Sequence, residues 1–274
     1  MSYSDKKKKK RAIFNYFELF YTKFLKLIQL NFIYSICILP FVVGLVYITC
    51  VVLEVAPEVV NYSEIFKLLV NIAIHIPDYI LITLFIVSAI FYGPLTAGLT
   101  FCTRNIVSRK VFWVSDLFSR AKSNFKQGLI LGLIDIFVFL SCLLYLKMDI
   151  GGNGMNFYGV IKFIAIFIAI AYFVMRFYTY TMAVTFELSI KDIFNNARLF
   201  LVLGFLKNLI AILIGLIVLI SFISTPVIDT FLFFALYFSL CRFSAVFSTY
   251  PVIEKYMLKS KKAKNNDAEN DSNK

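Results

Sequence analysis

The chain has little charge and few of the residues that mark other protein classes. Only 16% of its 274 residues are charged, against roughly 25% in an ordinary soluble domain. Five Cys are too few for a disulfide scaffold, and 11 Gly exclude a collagen-like repeat. What is there is apolar, since 60% of the residues are hydrophobic, 31 are Phe and the mean hydropathy is +0.82. A soluble globule cannot hide that much apolar surface, and disorder requires low hydrophobicity, so the composition indicates a polytopic membrane protein.

The sequence also lacks the motifs of nucleotide-driven and hydrolytic enzymes. It contains no G-x-x-x-x-G-K-S/T, no G-x-G-x-x-G that opens a helix after a strand, no H-E-x-x-H and no G-x-S-x-G. The single histidine, His75, excludes catalysis by several histidines, and a metal site needs more donors than it supplies. We therefore predict a protein that is not an enzyme and that binds no metal or cofactor.

Six charge-poor intervals are long enough to span a bilayer as helices, which takes about 20 mostly apolar residues. They comprise residues 27–53, 79–101, 127–146, 157–186, 208–228 and 230–247. The sequence therefore predicts an all-α, polytopic helical membrane bundle, with six transmembrane helices in a membrane domain of residues 27–250. Residues 1–26 are expected to form a basic cytoplasmic N-terminus with an interfacial helix, and residues 251–274 a polar, disordered tail.

Lys and Arg follow the positive-inside rule. Eight precede the first span, six lie between spans two and three, and three lie between spans four and five. The alternate connections hold only Lys67 and Lys147, with Lys162 just inside span four. We therefore expect both termini to be cytoplasmic. Proteins that read nucleic acids gather their basic residues in a folded patch, so the net charge of +12 indicates topology and a bilayer partner, and no nucleic acid.

Two cytoplasmic segments next to spans are amphipathic and similar to each other. Residues 116–122 and 192–198 both follow the pattern D-L/I-F-x-x-A-K/R. The predicted apolar stripes are Leu117, Phe118, Ala121 and Phe125 in the first, and Ile190, Ile193, Phe194 and Ala197 in the second. Ser189, with Asp192 three residues later, resembles a capping box with Asp in place of Glu. Upstream, residues 97–101 echo residues 182–186, so spans two and three correspond to spans four and five as a parallel repeat, with coincidence in an apolar chain as the alternative. We interpret the two amphipathic helices as docking surfaces for a cytoplasmic partner, through Asp116, Phe118, Arg120, Lys122, Asp192, Phe194 and Arg198.

Apart from Lys162 near one end of span four, three charged residues lie inside predicted spans: Asp135, Arg176 and Arg242. Each costs roughly 2.5–3.5 kcal/mol at a helix centre unless it is paired or hydrated. We expect Asp135 to pair with Arg242 or Arg176 in the bundle interior. The cluster is then either a structural ion pair or a coupling or substrate site, and snorkelling of the arginines is the third interpretation.

Proline and glycine mark further positions in the spans. Pro40, Gly93-Pro94 and Pro226 are expected to break or bound their spans, either as ordinary kinks and helix ends, which are commoner, or by opening backbone carbonyls toward a cavity. Gly128 and Gly132 form a small-xxx-small face on span three, which predicts close packing against a neighbour. The many Phe and Tyr side chains are interpreted mainly as lipid-facing or interfacial bulk.

Several segments of the chain together carry a family resemblance. They are Asn31-Phe32 through Leu39-Pro40, residues 93–101, Arg104-Asn105, residues 115–118 and residues 122–127. In this order they resemble the YesL family, multi-pass membrane proteins of mainly low-GC Gram-positive bacteria that carry a domain of unknown function. The resemblance covers most of the chain, and the N-F-K-Q segment with its spacing to Gly93-Pro94 is the most specific part. The chain departs from the family pattern after Pro40, where residues 41–44 replace a threonine-containing turn.

The resemblance implies a bacterial cell membrane and, because family genes often lie beside carbohydrate uptake systems, an association with sugar ABC transporter subunits. The first functional hypothesis is therefore a non-enzymatic accessory or assembly partner of a carbohydrate ABC uptake system, docked through the two cytoplasmic helices. The alternative is an autonomous secondary transporter, or a permease subunit, for a small solute. That function would use the repeat, the interrupted spans and the Asp135 cluster.

Overall fold

The helices follow the apolar intervals of the sequence closely. The computed structural model describes residues 12–54, 64–147, 157–209, 212–213, 216 and 231–258; these residues are almost entirely helical and include no strand. The helices are α1 (Ala12–Leu53), α2 (Glu64–His75), α3 (Asp78–Val107), α4 (Asp116–Ser123), α5 (Phe125–Lys147), α6 (Phe157–Ala183), α7 (Ile190–Leu203) and α8 (Phe238–Ile253). Two π-helical turns, Phe233–Tyr237 and Glu254–Leu258, flank α8. The predicted all-α class is confirmed.

Five of these stretches are long and apolar enough to cross a membrane. They are Ile13–Leu53, Asp78–Val107, Phe125–Tyr145, Ile164–Ala183 and Phe233–Met257. They coincide with five of the six predicted spans, and the multi-pass prediction is thereby confirmed. The remaining predicted span, residues 208–228, lies largely outside the described residues, as do Pro226 and most of the predicted tail.

Helix α1 unites the predicted interfacial helix with the first span. It runs for 42 residues without interruption, about 63 Å at 1.5 Å per residue, so residue 26 is not a helix end. The prediction that Pro40, Gly93 and Pro94 break their spans is wrong, because α1 and α3 continue through them. Each proline removes one backbone hydrogen bond, a loss that a membrane helix tolerates when neighbouring helices pack around it.

Helices α3 and α5 cross at a contact between backbones. A Cβ atom on Gly93 would lie 2.0 Å from the carbonyl oxygen of Gly128, and one on Gly132 would lie 2.7 Å from the Cα of Gly93. A Cβ atom on Gly128 would lie 2.8 Å from the Cα of Pro94. Only glycine fits at these three positions, and the close packing predicted for the Gly128 and Gly132 face is confirmed.

Contacts at the helix ends define two ends of the bundle. At one end, Arg104 near the end of α3 donates a hydrogen bond of 2.7 Å to the carbonyl oxygen of Val184, which follows α6. We call this the basic end, since α4, α7 and most of the described Lys and Arg residues lie there. At the opposite end, Lys147 of α5 pairs with Glu54 after α1 at 3.0 Å. Helices α3 and α6 therefore run in the same direction, as the repeat predicts.

The first and last described helices also meet at the basic end. The hydroxyls of Tyr16, near the start of α1, and Ser244 of α8 are hydrogen-bonded at 2.8 Å. The start of the last span lies toward the other end, where Phe233 packs in a cluster with Val43 and Leu81. Helix α8 therefore runs parallel to α3 and α6.

The two short helices of the basic end bury the same positions of their shared pattern. Leu117 and Ala121 of α4 are buried, and so are their counterparts Ile193 and Ala197 of α7. Phe118 leaves the predicted apolar stripe and is 48% exposed. An eight-residue helix pressed against the end of α3 buries only its narrow inner face.

Candidate functional site

The carboxylate of Asp135, on α5, lies at the centre of a buried polar network. It accepts three hydrogen bonds from one helix, α6: from the hydroxyl of Tyr172 at 2.7 Å, from Nε of Arg176 at 2.6 Å and from the hydroxyl of Tyr180 at 2.8 Å. Residues four apart share a face of a helix, so these three donors stand one above another. Asp135 thus pairs with Arg176, one of its two predicted partners.

The network continues from Arg176 to α3. Nη2 of Arg176 donates to the hydroxyl of Tyr92 at 2.5 Å. The ring of Tyr92 stacks on Phe41 of α1 with centroids 4.3 Å apart. The contact between Gly93 of α3 and Gly132 of α5 lies next to Tyr92 and about one turn before Asp135. Tyr92 and Asp135 therefore both reach Arg176, each from its own helix.

Arg242, on α8, joins the cluster through an aromatic ring. Its guanidinium lies 5.1 Å from the ring centroid of Tyr180, and that of Arg176 lies 5.2 Å from the same centroid. The prediction offered Arg242 as an alternative partner of Asp135, and the structure places it over the tyrosine instead. Arg242 is only 7% exposed, and its Nη1 has no hydrogen-bond partner within the part of the chain that the structure describes.

The cluster has an excess of one positive charge, from two guanidinium groups and one carboxylate. Asp135 lies ten residues into α5 and Arg242 eleven residues before the end of α8, which is about 15 Å from the basic end for each. At that depth a charge has no bulk water to solvate it. Breaking a buried ion pair by removing one partner costs about 3–5 kcal/mol, so this centre is a strong constraint on how α5, α6 and α8 pack.

A cavity of about 1190 Å³ adjoins the charged centre. Arg176, Arg242, Tyr34, Tyr172 and Tyr237 contribute to its polar wall, while aliphatic and aromatic side chains of α5, α6 and α8 form most of the rest. A volume of this size accommodates a small molecule, since ligand pockets hold about 300–1,000 Å³. The cavity is open on one side, since lining side chains such as Phe137 and Phe173 are exposed. The arrangement is therefore an open, largely apolar cavity with two guanidinium groups and several hydroxyls in its wall.

A buried asparagine supports the segment that carries Arg242. The side-chain amide of Asn31, on α1, donates to the carbonyl oxygens of Phe233 and Phe234 at 2.8 Å each. Its oxygen accepts from the backbone N–H of Ser239 at 2.9 Å. A π-helical turn displaces the regular backbone pairing, and Asn31 supplies the missing partners. The asparagine quoted for the family resemblance thus fixes the turn before α8.

The predicted docking residues lie apart from this centre, at the basic end. Arg120 is exposed and its guanidinium lies 4.4 Å from the ring centroid of Phe101, while Lys122 is also exposed. Asp116 accepts a hydrogen bond of 2.9 Å from the backbone N–H of Trp113. The structure thus brings α4 to the end of α3 and leaves its basic residues open to solvent.

The corresponding residues of α7 are placed similarly. The hydroxyl of Ser189 accepts from the backbone N–H of Asp192 at 3.2 Å, which is the cap predicted from this pair. Arg198 is exposed and donates to the side chain of Asn195, and Phe194 is partly buried. In each copy of the pattern, the aspartate therefore takes part in a hydrogen bond at the start of its helix, and the basic residue at the end of the pattern is exposed.

The interpretation of tyrosines as lipid-facing bulk missed most of the site. Tyr92, Tyr172 and Tyr180 all contact Asp135 or Arg176, and Tyr34 bonds to Thr96 at 2.8 Å in the same layer. One signal was available in the sequence: Tyr172, Arg176 and Tyr180 are spaced by four on an apolar helix, which predicts a single polar stripe.

Comparisons with known proteins give no match, so any functional proposal has to be based on the site itself. No family model matches the chain, and no curated protein or solved structure is similar to it. Among the residues that the structure describes, no group of three or more His, Cys, Asp or Glu side chains is placed to hold a metal ion. The chain is therefore, by its own architecture, a multi-pass helical protein of the lipid bilayer.

Proposed function

We propose that the protein is a secondary transporter that holds a small solute in its interior cavity and exposes that cavity to each side of the membrane in turn. One observation carries the proposal: two arginines, Arg176 with its partner Asp135 behind it and Arg242, stand in the wall of a cavity of about 1190 Å³. A purely structural ion pair has no need of a cavity beside it. Intramembrane ionisable residues that face a cavity mark substrate and ion pathways.

The architecture supports this proposal in a second way. Parallel spans α3 and α6, each followed by a short helix with the same buried positions, resemble the internal repeats of transporter folds. The polar wall takes residues from α1, α3, α6 and α8, so a shift of one helix against another changes the shape of the site.

The test uses Cys241, which lies in the cavity wall. In a variant with Cys37, Cys50, Cys102 and Cys142 replaced by Ala, a membrane-impermeant methanethiosulfonate reagent is added to sealed proteoliposomes from outside or enclosed in the lumen. We expect Cys241 to react from both sides. Reaction from one side only, or from neither, contradicts a transporter.

A matched pair of substitutions locates the path of the reagent. Ala169 lines the cavity, and Ala171 on the same helix is not among its described lining residues. We expect Ala169→Phe to slow the modification of Cys241 at least tenfold, and Ala171→Phe to leave it within about twofold. Equal effects would mean that the reagent reaches Cys241 by another route.

A second function is favoured by the exposed faces of α4 and α7. Lys122 and Arg198 occupy the same position of the shared pattern, and both are exposed at the basic end. We propose this end as the cytoplasmic one, in a bacterial cell membrane, because basic loops are retained there. The chain would then be an accessory of a carbohydrate ABC uptake system, the role implied by the YesL resemblance.

The accessory role has its own test. A tagged chain is recovered in mild detergent from its own membranes, and co-purified proteins are identified by mass spectrometry. We expect recovery of an ABC permease or ATPase that falls at least fivefold with Lys122→Glu and Arg198→Glu, while Lys147→Glu at the opposite end has no effect. Recovery of the chain alone contradicts the accessory role.

A further inference from the structure

The cavity wall contains a cation whose charge the described residues do not balance. Asp135 is engaged by Arg176 at 2.6 Å and by two tyrosine hydroxyls. Arg242 lies over the ring of Tyr180 with its Nη1 unpartnered in the described part of the chain, and it is 7% exposed. Ring contact alone compensates a buried cation only partly, because a desolvated cation–π contact contributes about 2 kcal/mol or somewhat more, whereas burying the charge costs several kcal/mol.

The two arginines are not equivalent toward a ligand. Arg176 already donates from Nε to Asp135 and from Nη2 to Tyr92. Arg242 has donors to spare, and a planar guanidinium binds carboxylate or phosphate with two parallel hydrogen bonds. Arg242 is thus the group that a ligand anion would meet.

The remainder of the cavity calls for an apolar partner. Its walls away from the charged centre include Phe137, Val138, Ile166 and Ala169 of α5 and α6. A small, strongly hydrated ion would lose its hydration shell in this part of the cavity and gain no polar partner from these side chains, so its binding there would be unfavourable. An extended hydrocarbon body fits them, with its polar head at Arg242.

We infer that the cavity binds a molecule with one anionic head, a carboxylate or a phosphate ester, on an apolar body, and that Arg242 receives the head. This inference rests on the transporter proposed above and names its substrate class. A carboxylate or a singly charged phosphate ester supplies the one negative charge that makes the centre neutral. Such a ligand also gives the buried arginine at mid-depth on α8 a partner.

The test measures the binding of four probes with the same eight-carbon chain to the protein in lipid nanodiscs, with empty nanodiscs subtracted. The probes are octanoate, octyl phosphate, octanol and octylamine. We expect at least one of the two anions to bind at least tenfold more tightly than octanol, and octylamine to bind least. The anion that binds better identifies the head as carboxylate or phosphate.

Substitutions then assign the head to Arg242. We expect Arg242→Gln to weaken the preferred anion at least tenfold, and Arg242→Lys to weaken it less. Arg104→Gln is the control, because Arg104 is also an arginine with a buried, unpartnered Nε in the described part of the chain, but it is only partly buried and lies at the basic end. Its effect on probe binding should stay within about twofold.

A second pair keeps the inference testable if Arg242→Gln does not fold. Phe238 lines the cavity four residues before Arg242, on the same face of the helix. Phe238→Glu would place a built-in carboxylate beside the arginine and should displace the anionic probe at least tenfold relative to Phe238→Gln. The two variants differ only in charge, so equal binding would overturn the inference.

The outcomes separate this inference from the proposed function. If octanol binds as tightly as both anions, or if no probe binds, the anionic substrate class is wrong. Cys241 would still react from both sides of the proteoliposome if the chain is a transporter of another solute. If Cys241 reacts from one side only, the transporter proposal fails even where an anion binds.

Discussion

Two aromatic rings of the bundle each carry two guanidinium groups, in opposite surroundings. The pairs are Arg176 and Arg242 on Tyr180 at 5.2 and 5.1 Å, and Arg104 and Arg120 on Phe101 at 4.7 and 4.4 Å. The first ring is fully buried at mid-depth, and the second lies at the basic end. The same local motif therefore meets two different solvation problems.

At the basic end the charges are solvated by ordinary means. Arg120 is exposed, and Arg104 donates to the carbonyl oxygen of Val184, where the end of α6 leaves acceptors unpaired. At mid-depth the protein has to supply every partner, and among the residues that the structure describes there it supplies one carboxylate, Asp135, for two cations. Both pairs of arginines have the same ring contact, so the difference lies in their depth. Only the pair at mid-depth needs all of its partners from the protein, and only that pair forms a candidate binding site.

The largest effect is expected from the substitution that removes Asp135, the only interior carboxylate that the structure describes at this site. Asp135→Asn leaves Arg176 buried without its partner, which should cost about 3–5 kcal/mol of folding free energy. Thermal unfolding in detergent, followed by size-exclusion chromatography, measures it. Asp192→Asn, at an exposed helix start, serves as the control and should cost about 1 kcal/mol or less.

A double-mutant cycle shows whether that cost belongs to the pair. Arg176→Gln alone should destabilise similarly, and the double variant should lose clearly less than the sum of the two single losses. Simple addition of the two losses would mean that Asp135 and Arg176 act independently. That result would contradict the claim that the buried arginines depend on a partner supplied by the protein.

The next effect acts on the spacing of α3 and α5. Gly93→Ala puts a methyl group 2.0 Å from the carbonyl oxygen of Gly128, so the helices must move apart. Overpacking of this kind costs about 1–3 kcal/mol and should also separate Tyr92 from Arg176. Thr83→Ala is the control, because Thr83 is exposed on the same helix and its hydroxyl bonds only to the carbonyl oxygen of Tyr79 one turn earlier, so the loss should be about 0.5 kcal/mol or less. An equal loss at Gly93 and Thr83 would contradict this account of the crossing.

At the basic end, Arg104→Gln should have a smaller and more local effect. It removes a hydrogen bond from the charged guanidinium to the carbonyl oxygen of Val184, and because this bond is only partly buried the loss should be about 1.5 kcal/mol or less. Amide hydrogen exchange should speed up in residues 182–186 and stay unchanged in α5. Faster exchange throughout α5 would mean that the two clusters are coupled, against the distinction drawn here.

The smallest effect is expected at the exposed member of the second pair. Arg120→Gln removes a ring contact worth about 0.5–1 kcal/mol at an exposed site, and the melting temperature should fall by a degree or two at most. Added salt should reduce the difference further. A loss as large as that of Asp135→Asn would show that exposure does not discriminate between the clusters.

The sequence predicts the elements of this fold well, because apolar runs and charge spacing act locally. Five spans, the inward positions Leu117, Ala121, Ile193 and Ala197, and the glycine face of α5 all follow from periodicity. The breaks at Pro40 and Pro94 do not occur, because packing against neighbouring helices outweighs one lost hydrogen bond. That balance depends on contacts between distant segments, which a local pattern does not contain.

The site could be predicted only in part for the same reason. The free energy that it costs to place a charge inside the bilayer identifies Asp135, Arg176 and Arg242 as residues that need partners. They do not say which partners, since Tyr180 serves as a ring to Arg242 and as a hydroxyl donor to Asp135. The bond of Asn31 to the turn before α8 joins residues about 200 positions apart and depends on the π-helical geometry.

The measurement that tests the central claim most directly compares two thiol reagents at Cys241 in the variant that has no other Cys. One reagent is the anionic sulfonatoethyl and the other the cationic trimethylammonioethyl methanethiosulfonate, with each rate divided by the rate on a free thiol. An uncompensated Arg242 in the cavity wall predicts that the anion reacts at least threefold faster, and that Arg242→Gln removes the difference. Equal rates, or a faster cation, would contradict an interior site that has one positive charge in excess.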